Sequence, residues 1–215
     1  MELDKYIILY NKLSNNDINY LTKFDHISIG KNNIVIKKPT DKEIYYKIVN
    51  YLIRKRILFY CFDYIDNLLN FMLEKNITIS VVESVTGGKL SDTIVNQEGI
   101  SKIFKGSIIA YSTSSKIELL KISKKAINKY GTVSFNISNK MIESLKNYFS
   151  SDVYISTTGY AGPTGKDVGT IYVTIAYNGK KYNFKWNFRG KRNDIRKGLI
   201  SYIFWALNKI LIKEY

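Results

Sequence analysis

One stretch limits the possible folds more than any other. Ile77-Thr78-Ile79-Ser80-Val81-Val82 is a short apolar run that reads as a buried strand. Glu83-Ser84-Val85-Thr86-Gly87-Gly88 follows at once, and Lys89-Leu90-Ser91-Asp92-Thr93-Ile94-Val95 then reads as the start of a helix. A serine is thereby set at the carboxyl end of a strand, beside two glycines that open a helix. In open α/β sheets that is where ligands bind. Glycines there let the backbone approach a ligand, and the N–H groups of a helix start favour an anion.

The same design recurs twice. Phe104 to Ala110 reads as a second strand, ending in Tyr111-Ser112-Thr113-Ser114-Ser115-Lys116, where a helix begins with Ser112 or Ser114 as its cap. Lys116 then falls in the first turn, where the helix dipole disfavours an ammonium and lowers its pKa. Val153 to Thr157 is a third buried strand, running into Thr158-Gly159-Tyr160-Ala161-Gly162-Pro163-Thr164-Gly165. If these strands are parallel neighbours, Ser84, Tyr111 with Lys116, and Thr158 converge on one edge of the sheet. A hydroxyl beside a lysine of lowered pKa is a nucleophile with its base. Backbone N–H groups near Gly87 and Gly88 suit an oxyanion or a phosphate.

The other elements arrange themselves around this core. Residues 1–23 read as a short helix or strand, a turn at Ser14-Asn15-Asn16-Asp17, and another short helix. His26 to Ile29 and Ile34 to Lys37 read as a hairpin, and Thr40-Asp41-Lys42-Glu43 fits a capping box opening a helix to about Arg56. Ile57 to Cys61 is strand-like, so a small β-β-α-β unit ends near Asp63. Tyr64 to Lys75 is helical. A turn at Gly131-Thr132-Val133-Ser134 precedes a helix to about Phe149. Asn178-Gly179 joins Ile171–Tyr177 to Tyr182–Phe188 as a hairpin. In the second strand Tyr182, Phe184, Trp186 and Phe188 share one face, against Asn183, Lys185 and Asn187 on the other. A final amphipathic helix runs from Asp194 to about Ile212 through Ile195, Leu199, Tyr202, Ile203 and Leu207.

Composition excludes several classes. No apolar run is long enough to span a bilayer, since Leu199 to Ile212 is broken by Asn208 and Lys209. Glu2 and Asp4 do not suit a secretory leader, so a cytoplasmic location is expected. One cysteine, Cys61, precludes an internal disulfide framework and a multi-cysteine metal site. The single histidine, His26, is remote in sequence from the glycine-rich turns, so a base other than histidine is expected. The net charge of +15 comes from lysines spread along the chain, with a matching excess of Asn, Ile and Tyr. That is the mark of an A/T-rich coding sequence, though a positive field also suits an anionic substrate or a nucleic acid.

Residues from about 64 to 212 resemble the C-terminal domain of the competence-damage-inducible protein CinA, a family that includes nicotinamide mononucleotide amidohydrolases. The resemblance is carried in order by Glu83 to Gly88, Gly99-Ile100-Ser101, Ala110 to Lys116, Gly131 to Ser134, Thr158 to Pro163, Val168 to Ile171, and Gly190 to Arg192. It implies a three-layer α/β/α sandwich with a mixed, mostly parallel central sheet, and a homo-oligomer. It also implies hydrolysis of the carboxamide of nicotinamide mononucleotide, without metal or cofactor. Ser101 would be the nucleophile, Lys116 the general base and Ser84 a proton relay, with Ser84 as nucleophile the alternative. Tyr111 and Thr158 would position substrate or polarise the amide. Thr86, Gly87, Gly88 and Gly159 would hold substrate, and Arg192 would meet its phosphate.

The sequence departs from the family pattern at several points. Val85 replaces a cysteine, Ile100 a serine, Tyr160 an isoleucine, and Lys191 an aspartate. The loop from Pro163 to Val168 is several residues short. Residues 1–63 resemble the small KH-like linker domain that precedes the amidohydrolase domain in longer relatives. Gly30-Lys31-Asn32-Asn33 lacks the second glycine of the nucleic-acid-binding KH loop. Two other readings compete with the enzyme: a catalytically silent relative kept for binding, and a basic protein associated with nucleic acid.

Overall fold

The computed structural model describes residues 5–10, 12–24, 27–31, 33–37, 42–164 and 167–214. His26, Pro39, Gly165 and the Thr40-Asp41 half of the expected capping box lie outside them. The chain builds two sheets. The first contains β1 (Lys5–Tyr10), β2 (Ile27–Ile29), β3 (Asn33–Lys37) and β4 (Phe59–Cys61), in the order β2-β3-β1-β4. All of its pairings are antiparallel. Helix α1 (Asn15–Leu21) joins β1 to β2, and α2 (Lys42–Arg54) joins β3 to β4. β1 and α1 thus stand ahead of the expected β-β-α-β unit, and the order β1-α1-β2-β3-α2-β4 is the split β-α-β plan of ferredoxin-like units. Ser14 caps α1 by accepting from the Asp17 N–H at 3.2 Å, while the Asp17 carboxylate accepts from the Ser14 N–H at 2.9 Å. The Gly30 N–H donates to the Asn33 carbonyl at 2.8 Å, where β2 hands over to β3.

Helix α3 (Phe62–Glu74) leads into the second sheet. Its strands are β5 (Ile79–Glu83), β6 (Phe104–Ile109), β7 (Val153–Gly159), β8 (Thr170–Tyr177) and β9 (Lys180–Asn187), in the order β6-β5-β7-β8-β9. β5 pairs parallel to β6 and to β7, whereas β7-β8 and β8-β9 are antiparallel. The sheet is therefore mixed, with β6, β5, β7 and β9 running one way and β8 running against them. The buried strands β5 and β7 and the more exposed edge strand β6 run parallel, with β5 between the other two, and their carboxyl ends share one edge. Between them come α4 (Lys89–Val95), a single 3-10 turn at Ile100–Lys102, α5 (Thr113–Glu118), α6 (Lys124–Tyr130) and α7 (Phe135–Leu145). The last helix is α8 (Arg192–Glu214).

Alternation along the strands makes three layers. Ile79, Val81, Ile155, Val173 and Ile175 pack in one cluster with residues of α3, α4 and α8. Val82, Tyr154 and Ala176 point to the other face, against α6 and α7. The stripe along β9 behaves as its period predicts: Tyr182, Phe184 and Trp186 pack on the first cluster. Trp186 and Phe188 meet the Tyr202 ring edge-on, with centroids 5.5 and 4.8 Å away.

Helix α8 departs from the amphipathic reading. Ile200, Phe204, Ala206, Ile210 and Leu211 are buried along with the expected stripe. A helix that is apolar on nearly every side needs cover on nearly every side. The small sheet supplies it, since β4 packs on α8. A Cβ on Gly198 would stand only 2.7 Å from Leu58 Cδ2, so the absence of a side chain permits this approach. The Tyr202 hydroxyl donates to the Ile57 carbonyl at 3.0 Å, and Trp205 Nε1 donates to Asn50 Oδ1 at 2.9 Å. Burial pushes the Tyr202 phenol well above the ordinary tyrosine range. Among the described residues no helix is long and apolar enough to cross a membrane.

Tyr202 is therefore the joint between the two sheets. Tyr202→Ala removes a buried ring at a cost of about 4 kcal/mol, which lowers the melting temperature by roughly 10 °C for a chain of this size. Thermal denaturation followed by circular dichroism measures this, and an unchanged melting temperature would contradict the packing.

Candidate active site

The site begins with a carboxylate that no solvent reaches. Glu83, the last residue of β5, is fully buried. Its Oε2 accepts from the N–H groups of Gly88 at 2.8 Å and Leu90 at 3.2 Å, and its Oε1 from the Ser91 N–H at 2.8 Å. The Ser91 hydroxyl also donates to Oε1. These are orphan donors at the start of α4, and a carboxylate is the partner they favour. The turn closes because Gly87 and Gly88 adopt φ of +54° and +94°, which a side chain would strain. The expectation that Gly88 binds a substrate anion is thus corrected: its N–H is taken by the protein's own carboxylate. Thr86 is also withdrawn, being fully buried with its hydroxyl 2.7 Å from that of Thr157. Neither Thr86, Gly87 nor Gly88 lines the cavity beside Ser84.

Ser84 sits where this turn leaves the strand. Its N–H donates to the Thr157 carbonyl on β7 at 2.9 Å. Its hydroxyl accepts from Lys116 Nζ at 2.8 Å. Lys116 comes from α5, which Ser112 caps by accepting from the Ser115 N–H at 3.0 Å. The lysine is 2% exposed, and its Nζ also donates to the Ala110 carbonyl at 2.8 Å. No carboxylate pairs with it among the described residues. Burial pushes the amine from 10.5 down to about 8. Removal from water is the cause, rather than the helix dipole, in a helix whose first and last turns coincide over six residues.

A cavity of about 250 Å³ opens beside this pair, lined in part by Val85, Tyr111, Thr158, Gly159 and Arg192. Tyr111 is half exposed, and its hydroxyl accepts from Arg192 Nη2. Arg192 Nη1 donates to the Gly162 carbonyl at 2.8 Å, so the guanidinium spans the second glycine-rich loop and Tyr111. The Thr158 hydroxyl donates to the Thr132 carbonyl at 2.9 Å. It braces the loop before α7, while the residue itself lines the cavity.

Ser101 is not in this cluster. It lies exposed on the 3-10 turn before β6, next to the amino end of that strand. Phe104 pairs with Ile79, whereas Ile109 pairs with Glu83. Ser101 and Ser84 therefore sit at opposite ends of the sheet, separated within the chain by a strand length of roughly 15 Å. Ser84 is the serine that meets Lys116, and the assignment of Ser101 as nucleophile is corrected on that ground.

Sequence reasoning missed two supports. Thr157 holds Ser84 and Thr86 from the neighbouring strand. Arg196 donates from Nε to the Val85 carbonyl at 3.1 Å and from Nη2 to the Thr86 carbonyl at 2.6 Å, clamping the turn after Ser84. The signal for Arg196 was its spacing: four residues after Arg192, it shares that residue's helix face.

The family assignment rests on this architecture together with direct matches. Residues 63–211 match the model of the CinA C-terminal domain. The chain belongs to that family. A CinA-like protein of Petrotoga mobilis is 38% identical over 152 residues, 69% of this chain and 38% of the relative. A CinA-like protein of Fusobacterium nucleatum is 40% identical over 145 residues, 66% of this chain and 35% of the relative. The chain thus matches less than two fifths of the length of either relative. Among solved structures, a CinA superfamily protein from Escherichia coli superposes with a TM-score of 0.64 at 23% identity, covering 68% of this chain and 90% of that one. A CinA superfamily protein from Enterobacter cloacae gives 0.64 at 25% identity, covering 68% and 92%.

The buried amine sets a stability test. Its folded pKa of about 8 lies below its ordinary 10.5. Between these values the unfolded chain binds the proton and the folded chain does not. Stability therefore rises as pH climbs through that window, while below pH 8 the buried charge is a cost. Lys116→Met removes both effects. Compared with Lys116→Met, the parent is expected to gain melting temperature between pH 8 and 10.5; parallel curves would contradict a depressed lysine.

Proposed function

We propose that this protein is an amidohydrolase that converts nicotinamide mononucleotide to nicotinate mononucleotide and ammonia, with Ser84 as nucleophile and Lys116 as general base. The observation that carries the reading is the 2.8 Å hydrogen bond between a buried, uncompensated lysine and a serine at the carboxyl edge of the sheet. A lysine near pH 8 is partly neutral under ordinary conditions, as a general base must be. The neutral amine takes the Ser84 proton as Oγ forms a bond to the carboxamide carbon. The resulting ammonium returns a proton to the departing nitrogen, the C–N bond breaks, and ammonia leaves an acyl-serine. Water then attacks the ester with Lys116 again as base, releasing the carboxylate and restoring the serine hydroxyl.

Arg192 lines the cavity and bonds Tyr111, which supports giving it the nucleotide phosphate in this reading. Tyr111 and Gly159 flank the ring of the substrate. Chemistry of this kind requires no metal, and among the described residues no group of three or more His, Cys, Asp or Glu side chains is placed to hold one. The proposal includes a cytoplasmic setting, a homo-oligomer, and an amidohydrolase domain from residue 64 preceded by a separate small unit.

Ammonia release from nicotinamide mononucleotide tests the reading. The rate is expected to rise with pH and level off above about 8, following the neutral fraction of Lys116. Ser84→Ala and Lys116→Ala should each reduce kcat by at least ~10³-fold, with Ser101→Ala near the parent. Full activity in Ser84→Ala with loss in Ser101→Ala would overturn the assignment of the nucleophile. No release by the parent between pH 7 and 9 would overturn the substrate.

A further inference from the structure

We propose a second ligand site, in the cleft where β4 meets α4 and the start of α8, for a mononucleotide: a planar base, a sugar and a phosphate. The cavity there measures about 460 Å³, against about 250 Å³ beside Ser84, and no residue lines both. Small-molecule pockets commonly run from roughly 300 to 1,000 Å³, so the larger cavity is of ligand size.

Its walls are of two kinds. Leu58, Phe59 and Tyr60 give it an apolar and aromatic side. Phe59 is almost wholly buried, whereas Tyr60 is partly buried, packs against the core with its hydroxyl bonded to Thr93, and lines the cavity with what remains of its ring. The opposite rim carries Lys89 and Asp92 on α4, with Asp194 and Lys197 on α8. Each pair stands three residues apart on its helix, a spacing that favours a surface ion pair. Neither pair closes, and among the described residues none of the four side chains makes an ion pair or hydrogen bond. Two lysines and two aspartates thus face one cavity with their bonding capacity unused.

That balance selects the ligand class. A rim of lysines alone would suit a polyanion such as nucleic acid. A rim of equal charge suits a molecule with one anionic group for the lysines and several hydroxyl or amino donors for the aspartates. A base laid on Tyr60, a ribose against the aspartates and a phosphate between Lys89 and Lys197 meets all three demands.

The position implies a consequence for Ser84. Asp194 and Lys197 flank Arg196, which clamps the carbonyls of Val85 and Thr86. Lys89 opens the helix whose first turn Glu83 holds. A ligand drawing α4 and α8 together would act on both supports of the catalytic turn.

The test is calorimetric titration of the full chain with adenosine 5′-monophosphate. An Arg192→Ala background removes the expected phosphate contact at the Ser84 cavity. The site predicts saturable binding of one equivalent in that background, weakened at least ~10-fold in Lys89→Ala/Lys197→Ala. A melting temperature equal to the parent's would show that the double variant folds. Adenosine alone and inorganic phosphate alone are each expected to bind at least ~10-fold more weakly than the nucleotide. Absence of saturable binding would overturn the site. Binding insensitive to the two lysine substitutions would do the same, and phosphate binding as tightly as the nucleotide would remove the role of the aromatic wall. This readout needs no amidohydrolase activity, so it stands or falls separately from the catalytic reading.

Discussion

The buried carboxylate of Glu83 is the interaction from which the sheet edge that carries Ser84 is built. An unpaired carboxylate without solvent would be prohibitive, and the start of a helix without acceptors would be costly. Each resolves the other. Three backbone N–H groups and one hydroxyl of α4 converge on the two carboxylate oxygens. The chain must turn sharply to bring them there, which is why Gly87 and Gly88 take left-handed conformations. Ser84 is the residue between that anchored carboxylate and the turn. Its N–H is held by β7, and its hydroxyl meets Lys116 Nζ at 2.8 Å.

Much of this was legible in the sequence, and the exceptions have physical causes. Buried strands announce themselves as apolar runs, and hydroxyl residues before helices announce caps, so β5, β7 and Ser112 are readable, while β6, a half-exposed edge strand, is readable from the turn residues that follow it. Their common edge followed from parallel pairing. The function of Gly88 was misread because a sequence shows a helix start as an anion site without showing that Glu83, five residues earlier, already supplies the anion. Ser101 was misplaced for a related reason: motif order along the chain does not reveal which end of a strand a residue occupies. The strand register, Ile79 with Phe104, settles it. Arg196 acts on backbone carbonyls and Thr157 on a neighbouring strand's turn, contacts that depend on tertiary placement and that residue type alone does not announce. The full burial of α8 was hidden because its cover comes from residues 58–61, far away in sequence.

The same covering links the two sheets into one mechanical unit. One hydrophobic cluster runs from Ile34 and Ile36 in the small sheet, through Leu58 and Phe59, to Tyr202 and the face of the large sheet. Helix α8 is its spine. At its first turns it carries Arg192 toward the cavity and Arg196 against the Ser84 turn. Further along it lies beneath β4. Among the described residues those before 63 therefore shape the setting of the Ser84 edge, and none of them lines its cavity.

Labelling with a fluorophosphonate, followed by mass spectrometry of the digested protein, tests the central claim most directly, because the reagent bonds to whichever serine oxygen a neighbouring base has activated. The serine–lysine account predicts a single adduct on the peptide holding Ser84, formed faster as pH rises through about 8 and absent in Lys116→Ala. An adduct on Ser101, or labelling of Ser84 that persists at full rate without Lys116, would contradict it.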